Sequence, residues 1–114
     1  MPPDADRDMA VLFDIAHAAR LALRYVEGMS RTAFDADERT QDAVVRRLTI
    51  LGEAAKRASI DLKASHPTLP WKQMAGMRDV IVHDYERVDL TVVWNVVQNE
   101  LPTIVAYIDG ILDS

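Results

Sequence analysis

Apolar residues recur at helical spacing through most of the 114-residue chain. The first set predicts a helix from Asp8 to about Glu27, because apolar positions three and four residues apart form one face of a helix. Its members are Leu12, Ile15, Ala16, Ala19, Leu23 and Val26. Gly28 follows directly, and a glycine in this place is typical of a helix C-terminus.

A second long helix is predicted for residues 34–59, with Asp35 or Asp37 as its N-cap. Lys56 lies near its end, where a basic side chain interacts favourably with the helix dipole. The apolar stripe of this helix contains Gly52 and several alanines. Such small residues indicate that another helix approaches closely.

Two prolines interrupt the helical pattern in residues 60–70. The residue before a proline is pushed out of the α region, so both positions favour extended backbone. We therefore expect an extended loop with room for a short turn. A third, short helix then starts at Trp71 and runs to about Val82 or His83.

The last apolar set predicts a fourth helix, with Asp89 as its N-cap. Its apolar positions advance by alternating steps of four and three residues, which suits packing along a bundle. Pro102 lies inside this helix and should kink it, because the carbonyl of Gln98 loses its hydrogen bond. The whole pattern predicts an all-α, antiparallel, four-helix bundle-like domain whose third helix is short and follows a Pro-containing loop.

Composition narrows the class of protein. Apolar residues make up 49% of the chain and charged residues 27%, as in soluble globular proteins, and the length suits a single domain over residues 1–114. Without cysteine, disulfides, thiol catalysis and thiolate metal sites are excluded. Neither a secretory signal nor an apolar run of the ~18 residues that a membrane span needs is visible, so we expect a cytoplasmic protein.

The net charge of −5 at first argues against a nucleic-acid partner. The distribution of charge changes this view, because residues 39–78 contain eight basic and three acidic residues, a local charge of +5. A basic face could therefore hold a polyanion such as RNA despite the net charge. A solvated helix face remains the more ordinary explanation of such a pattern.

Candidate chemistry is concentrated in the segment GMRDVIVHDY, residues 76–85. The chain lacks a Gly-x-Ser-x-Gly nucleophile and a phosphate-binding glycine loop, and no ligand spacing supports a metal site at His83 and Asp84. Arg78, His83 and Tyr85 remain. On an ideal helix a five-residue step rotates by roughly 140°. Arg78 and His83 can converge only if the helix ends near His83, if the arginine wraps round, or if a second subunit contributes.

Two interpretations of this segment are open from the residues alone. In the first, the histidine ends a helix, the arginine pairs with a nearby acid and the tyrosine is half-buried. In the second, the histidine transfers protons during RNA cleavage while the arginine stabilises the phosphorane. No metal is required, because the 2′-hydroxyl is an internal nucleophile. One histidine cannot easily be both acid and base, and two copies related by a dimer axis would remove that difficulty.

The segments RRLTILGEAAKR, PWKQMAGM, RDVIVHDY and VDLTVVWNVV, in this order, resemble the HepT-like proteins of the HEPN superfamily. These proteins are the toxins of HepT/MntA-type toxin–antitoxin pairs, a type VII-like system. The Arg-x4-His pattern is weak by itself, whereas the ordered segments cover nearly the whole chain. The resemblance implies an all-α homodimer in which the motifs of both subunits meet in a cleft.

The same resemblance implies a metal-independent endoribonuclease that needs no cofactor. Arg78 and His83 would be the catalytic pair, and Asp79 would help to orient the site. Tyr85 would be the residue that a minimal nucleotidyltransferase antitoxin modifies with AMP. An alternative is a non-catalytic subunit that presents substrate or nucleotide to a nucleotidyltransferase partner, and a third possibility is a dimeric scaffold. All three would use the same helices.

Overall fold

The computed structural model describes residues 3–83 and 87–114 of the chain. Its helices and strands, in chain order, are α1 (Pro3–Tyr25), α2 (Arg31–Asp35), α3 (Glu38–Lys56), α4 (Ile60–Ser65), α5 (Trp71–Ala75), α6 (Met77–Ile81), β1 (Val82–His83), β2 (Arg87–Val88), α7 (Leu90–Asn95), a π-helical segment (Val96–Glu100) and α8 (Leu101–Leu112). The predicted all-α class is confirmed, with one short antiparallel pair of strands that was not predicted. No helix in the described ranges is long and apolar enough to cross a membrane.

Helix α1 packs against both α3 and α8. It buries alanines where its neighbours approach, and Ala16, Ala19 and Ala22 have no exposed surface. The helix is longer at its start than predicted and ends two residues earlier, at Tyr25. Gly28 follows it with φ at 77°, a left-handed conformation that favours glycine. The short helices α5 and α6 pack on α3, and α6 also contacts α7.

The predicted second helix is divided into α2 and α3. Asp37 separates them and caps α3, because its side chain accepts a hydrogen bond from the Thr40 backbone N–H at 3.0 Å. This confirms Asp37, one of the two residues that were predicted as alternative N-caps of this helix. The bonds from the Thr40 backbone and hydroxyl lower the pKa of the Asp37 carboxyl, since they stabilise its ionised form.

The prediction of an extended loop over residues 60–70 was wrong for the first half of that range, which forms α4. Ser59 caps this helix by accepting a bond from the Leu62 backbone N–H at 3.0 Å. Asp8 of α1 in turn accepts bonds from the Ser59 backbone N–H at 3.0 Å and hydroxyl at 2.5 Å. The effect of proline begins only at His66, whose φ of −131° and ψ of 62° lie outside the α region.

The predicted third helix is interrupted at Gly76 and consists of α5 and α6. It ends at Ile81, slightly before the predicted limit of Val82 or His83. The Pro-containing loop before it is present as predicted.

Asp89 caps the C-terminal helix as predicted, because it accepts a bond from the Val92 backbone N–H at 3.2 Å. The predicted disruption near Pro102 takes the form of the π-helical segment. There the Leu101 N–H reaches the carbonyl of Val96, five residues back. The wider turn lets Pro102, which has no N–H, stand in the first turn of α8.

Candidate functional site

Gly52 of α3 allows the segment that contains Arg78 to pack closely. A Cβ atom at this position would lie 2.8 Å from the Met74 carbonyl oxygen and 3.1 Å from the Met77 Cβ. Any side chain would therefore push α3 away from the junction of α5 and α6. The close approach that the sequence indicated at Gly52 is confirmed, and it positions the residue directly before Arg78.

Helix α6 is held to the core on one face and exposes its polar residues on the other. Met77 and Ile81, four residues apart, are 2% and 1% exposed. Arg78 and Asp79 are both exposed. The core therefore fixes the backbone of this short helix while both predicted site residues on it remain accessible to a ligand.

Arg78 and His83 do not belong to one continuous helix. The helix ends at Ile81, and Val82 is extended, with φ at −92° and ψ at 127°. The rotation of roughly 140° that an uninterrupted helix would impose therefore does not apply. One of the three alternative conditions for their convergence, that the helix ends near His83, is met. That the two side chains form one site stays a prediction, because the His83 side chain lies outside the described part of the chain.

A two-residue antiparallel ladder carries the backbone of His83. Val82 lies opposite Val88, and His83 lies opposite Arg87. The Asp89 backbone N–H then donates to the Ile81 carbonyl at 2.7 Å, which joins the end of α6 to the start of α7. Tyr85, the predicted modification site, lies in the segment 84–86, outside the described residues.

Arg87 is an exposed cation that the sequence reasoning did not select as a site residue. Its backbone is directly opposite His83 in the ladder. The run of β-branched residues from Val80 to Val82 is the available signal for a strand at this point. Because the same run also fits the end of a helix, the sequence alone does not place Arg87 beside the motif.

A cleft of about 790 Å³ opens beside α6 and was not predicted. It is lined by Pro67, Leu69, Pro70, Trp71, Lys72, Gln73, Gly76, Asp79 and Val80. Asp79, the predicted orienting residue, thus borders both the cleft and Arg78. The lining comes from two short helices and the preceding loop, which the sequence did not show to converge.

Hydrogen bonds from neighbouring elements hold the wall of this cleft. The Trp71 indole Nε1 donates to the His66 carbonyl oxygen at 2.9 Å. The His66 imidazole Nδ1 lies 3.0 Å from the Tyr107 hydroxyl of α8. Through His66, the loop before α5 contacts the C-terminal helix α8. The same residue accepts the hydrogen bond that holds the Trp71 indole in place.

The basic residues of segment 39–78 are of two kinds. Lys56 pairs with Glu53 at 3.2 Å and Arg57 with Asp14 at 3.0 Å, so their charges are largely balanced on the surface. Arg46 and Lys72 are exposed and form no ion pair with any residue of the described ranges. The positive field available to a polyanion thus comes from fewer side chains than the sequence count suggests. Within the described ranges, no group of three or more metal-ligating side chains occurs.

Comparison with known proteins identifies the family of this chain. The family described as "Ribonuclease HepT-like" matches residues 15–111. The protein named "Probable ribonuclease HepT" of Thermococcus cleftensis is 41% identical over 93 residues, which cover 82% of this chain and 84% of that protein. "Putative RNase MJ0127" of Methanocaldococcus jannaschii is 33% identical over 103 residues, 90% of this chain and 85% of that protein.

A third relative is similar over most of its length. "Putative RNase TTE0752" of Caldanaerobacter subterraneus subsp. tengcongensis is 33% identical over 98 residues, which cover 86% of this chain and 88% of that protein. Comparison with solved structures gave no significant match. On the family match and these relatives, the chain belongs to the HepT-like ribonucleases of the HEPN superfamily.

Proposed function

We propose that this chain is a metal-independent endoribonuclease that acts as the toxin of a HepT/MntA-type toxin–antitoxin pair. Membership of the HepT-like ribonucleases supports the RNA-cleaving activity. The observation that carries the assignment of the site is the end of α6 at Ile81. It leaves Arg78 exposed on a helix anchored in the core and brings the chain into extended backbone before His83.

The reaction needs only groups that the motif and the substrate supply. His83 removes the proton of the 2′-hydroxyl, and the 2′-oxygen attacks the adjacent phosphorus. The bond from phosphorus to the 5′-oxygen breaks, and that oxygen receives a proton, which leaves a 2′,3′-cyclic phosphate and a 5′-hydroxyl. The Arg78 guanidinium stabilises the charge that grows on the phosphorane oxygens, and Asp79 helps to orient the site.

A homodimer would supply the second proton-transfer group. The chain has three histidines. The ring of His17 stacks on that of the exposed Phe13 at a centroid distance of 5.9 Å, and His66 contacts Tyr107, so each has its own contact outside the motif. We assign the base to His83 of one copy and the acid to the same residue of a second copy. The two arginines would then double the positive charge at the phosphate.

The antitoxin in this proposal is a minimal nucleotidyltransferase that attaches AMP to Tyr85. The modification would place a bulky group with a negative charge two residues from His83. Negative charge repels the RNA phosphate that Arg78 is proposed to hold. In this proposal, RNA cleavage and its inhibition both depend on how negative charge is held within residues 76–85.

The direct test measures cleavage of RNA by purified protein in EDTA, for the wild type, Arg78→Ala and His83→Ala. Cleavage by the wild type and its loss in both variants is the expected result, with far-UV circular dichroism and size-exclusion chromatography showing an unchanged fold and assembly. Cleavage that survives both substitutions would contradict the assigned site. Absence of cleavage by the wild type, with stable co-purification with a nucleotidyltransferase, would instead favour the non-catalytic partner subunit.

A further inference from the structure

The cleft beside α6 shares that helix with the proposed catalytic arginine. Asp79 and Val80 line the cleft, and Arg78 directly precedes them in the same helix. Consecutive Cα atoms are about 3.8 Å apart. A phosphate held at Arg78 and a group held in the cleft can therefore belong to the same nucleotide or to neighbouring ones.

The walls of the cleft are apolar and rigid. Pro70, Trp71 and Val80 provide them, and the hydrogen bond from the Trp71 indole to the His66 carbonyl at 2.9 Å fixes the ring. Every nucleobase has an apolar π-face that stacks on aromatic and apolar side chains. A rigid wall binds such a face with little loss of side-chain entropy.

The rim of the cleft carries polar groups that are available to a ligand. Lys72 and Gln73 lie on α5, and neither side chain makes a hydrogen bond or ion pair with any residue of the described ranges. The Gln73 amide can both donate and accept, which is what reading the edge of a base requires. The Lys72 ammonium can contact a backbone phosphate.

We infer that this cleft binds an unpaired nucleobase of the RNA substrate beside the scissile phosphate, with Gln73 reading the base edge. The inference rests on the proposed ribonuclease function. Lys72 lines the cleft and Arg78 directly precedes the lining residue Asp79, and two cations so placed suit the phosphates that flank one base. The cleft's volume of about 790 Å³ lies within the roughly 300–1,000 Å³ typical of sites for small ligands, which suits a single base.

Fluorescence of Trp71 provides a direct measurement of binding. The chain has two tryptophans. Trp94 packs against Phe34 at a centroid distance of 5.3 Å and does not line the cleft, so Trp94→Phe leaves Trp71 as the reporter. The probes are four trinucleotides, one for each base, with 2′-O-methyl groups that block cleavage. We expect a saturable change in fluorescence, with one base bound more tightly than the others.

Variants of two glutamines test the reading of the base. Gln73→Ala should weaken binding of the preferred trinucleotide at least about fivefold, the lower end of what one base-edge contact contributes, and should reduce the difference between bases. Gln98→Ala removes an exposed glutamine of the π-helical segment that does not line the cleft, and should leave binding unchanged. Equal effects of the two substitutions overturn the inference.

Other outcomes distinguish the subsite from the ribonuclease activity. The blocked trinucleotides report binding whether or not the wild type cuts RNA. Binding without any cleavage of ordinary RNA counts against the proposed activity alone, whereas cleavage without a saturable Trp71 response overturns the subsite alone. A Trp71 response that follows protein concentration and not trinucleotide concentration also overturns it, because no trinucleotide then occupies the cleft.

Discussion

A Cβ atom on Gly52 would lie 3.1 Å from the Cβ of Met77, and this contact joins α3 to the base of the helix that carries Arg78. Met77 is 2% exposed, so it has little freedom to move away. The backbone carbonyl of Met74 would be closer still, at 2.8 Å. The absence of one methyl group on α3 therefore sets the position of the proposed catalytic arginine relative to the core.

Gly52→Ala should destabilise the protein by about 1–3 kcal/mol, because the added methyl group overpacks the contact with a buried neighbour. It should also lower RNA cleavage, since relief of the clash displaces α6. Urea denaturation measures the first effect, and initial cleavage rates at a temperature where the variant is folded measure the second.

Gly110→Ala is the matched control for that substitution. Gly110 lies in α8, its φ is not positive, and a methyl group added to it would have no atom of the described residues within 4 Å beyond its own helix backbone and chain neighbours. Alanine is the better helix former, so this variant should be more stable than the wild type by roughly 0.5–1 kcal/mol. A comparable loss of stability in both variants would show that the Gly52 effect is not one of packing.

Features of the fold that depend on local chemistry were predictable from the sequence. Asp89 was predicted as a cap and Asp37 as one of two alternatives, because an N-cap acts on backbone N–H groups only two or three residues away. Helix α4 was missed because part of its support is distant. Its cap, Ser59, is held by Asp8 of α1, fifty-one residues earlier in the chain. No local pattern reports such a contact.

The candidate site itself stays a prediction. Arg78 was selected from the residues of the segment and Asp79 through the family resemblance, and an early end of the helix was one of the three ways in which Arg78 and His83 could converge. The ladder that places Arg87 opposite His83 was missed, because β-branched residues at the end of a helical pattern are ambiguous. The cleft was missed because its lining, although continuous in the chain from Pro67 to Val80, depends on the interruption at Gly76 between α5 and α6, which the sequence prediction treated as one helix.

Arg78→Lys should reduce RNA cleavage about 10²–10³-fold even though it keeps the positive charge. A lysine ammonium cannot reproduce the planar, two-pronged hydrogen bonding of a guanidinium to phosphorane oxygens. Because Arg78 is exposed, the variant should unfold at nearly the same urea concentration as the wild type. Single-turnover cleavage rates provide the measurement.

The control for the arginine is Arg46→Lys, on the exposed surface of α3. It makes the same change, from arginine to lysine, on a helix that does not carry the Arg78–His83 motif. It should alter cleavage little, since a solvated lysine replaces a solvated arginine with the same charge. Equal losses in both variants would indicate a general effect of arginine on RNA affinity and would contradict a specific role for Arg78.

Asp37 should make the stability of α3 depend on pH in the acid range. Hydrogen bonds from Thr40 lower the pKa of its carboxyl in the folded protein. The stabilisation is therefore present above the unfolded-state pKa of about 4, and it is lost as the pH falls through the lower folded-state value. Asp37→Asn keeps a good cap without a titrating group, so it should remove this part of the pH dependence. Thermal unfolding of both proteins between pH 2 and about 6 tests it.

The contact between His66 and Tyr107 should stabilise the loop behind the cleft. Tyr107→Phe removes the hydroxyl that lies 3.0 Å from the imidazole and keeps the ring, so it should cost about 0.5–1.5 kcal/mol. A double-mutant cycle with His66→Ala separates the shared interaction from the effects of each substitution. A coupling energy near zero would show that the two side chains are stabilised independently.

Modification of Tyr85 with AMP should abolish cleavage without unfolding the protein. The added phosphate is negative and would stand close to the proposed binding place of the RNA phosphate, so repulsion should act on substrate binding. Treatment with a partner nucleotidyltransferase and ATP should add one AMP per chain, found by mass spectrometry of peptides. Tyr25 and Tyr107 are the other two tyrosines and provide an internal control.

Tyr85→Phe separates the modification from the catalytic site itself. Because phenylalanine has no hydroxyl, the variant cannot accept AMP, and it should still cleave RNA when Arg78 and His83 are intact. Cleavage by this variant should therefore continue in the presence of the nucleotidyltransferase and ATP, while the wild type is inhibited. Inhibition of both proteins to the same degree would place the control of activity in complex formation rather than in chemistry at Tyr85.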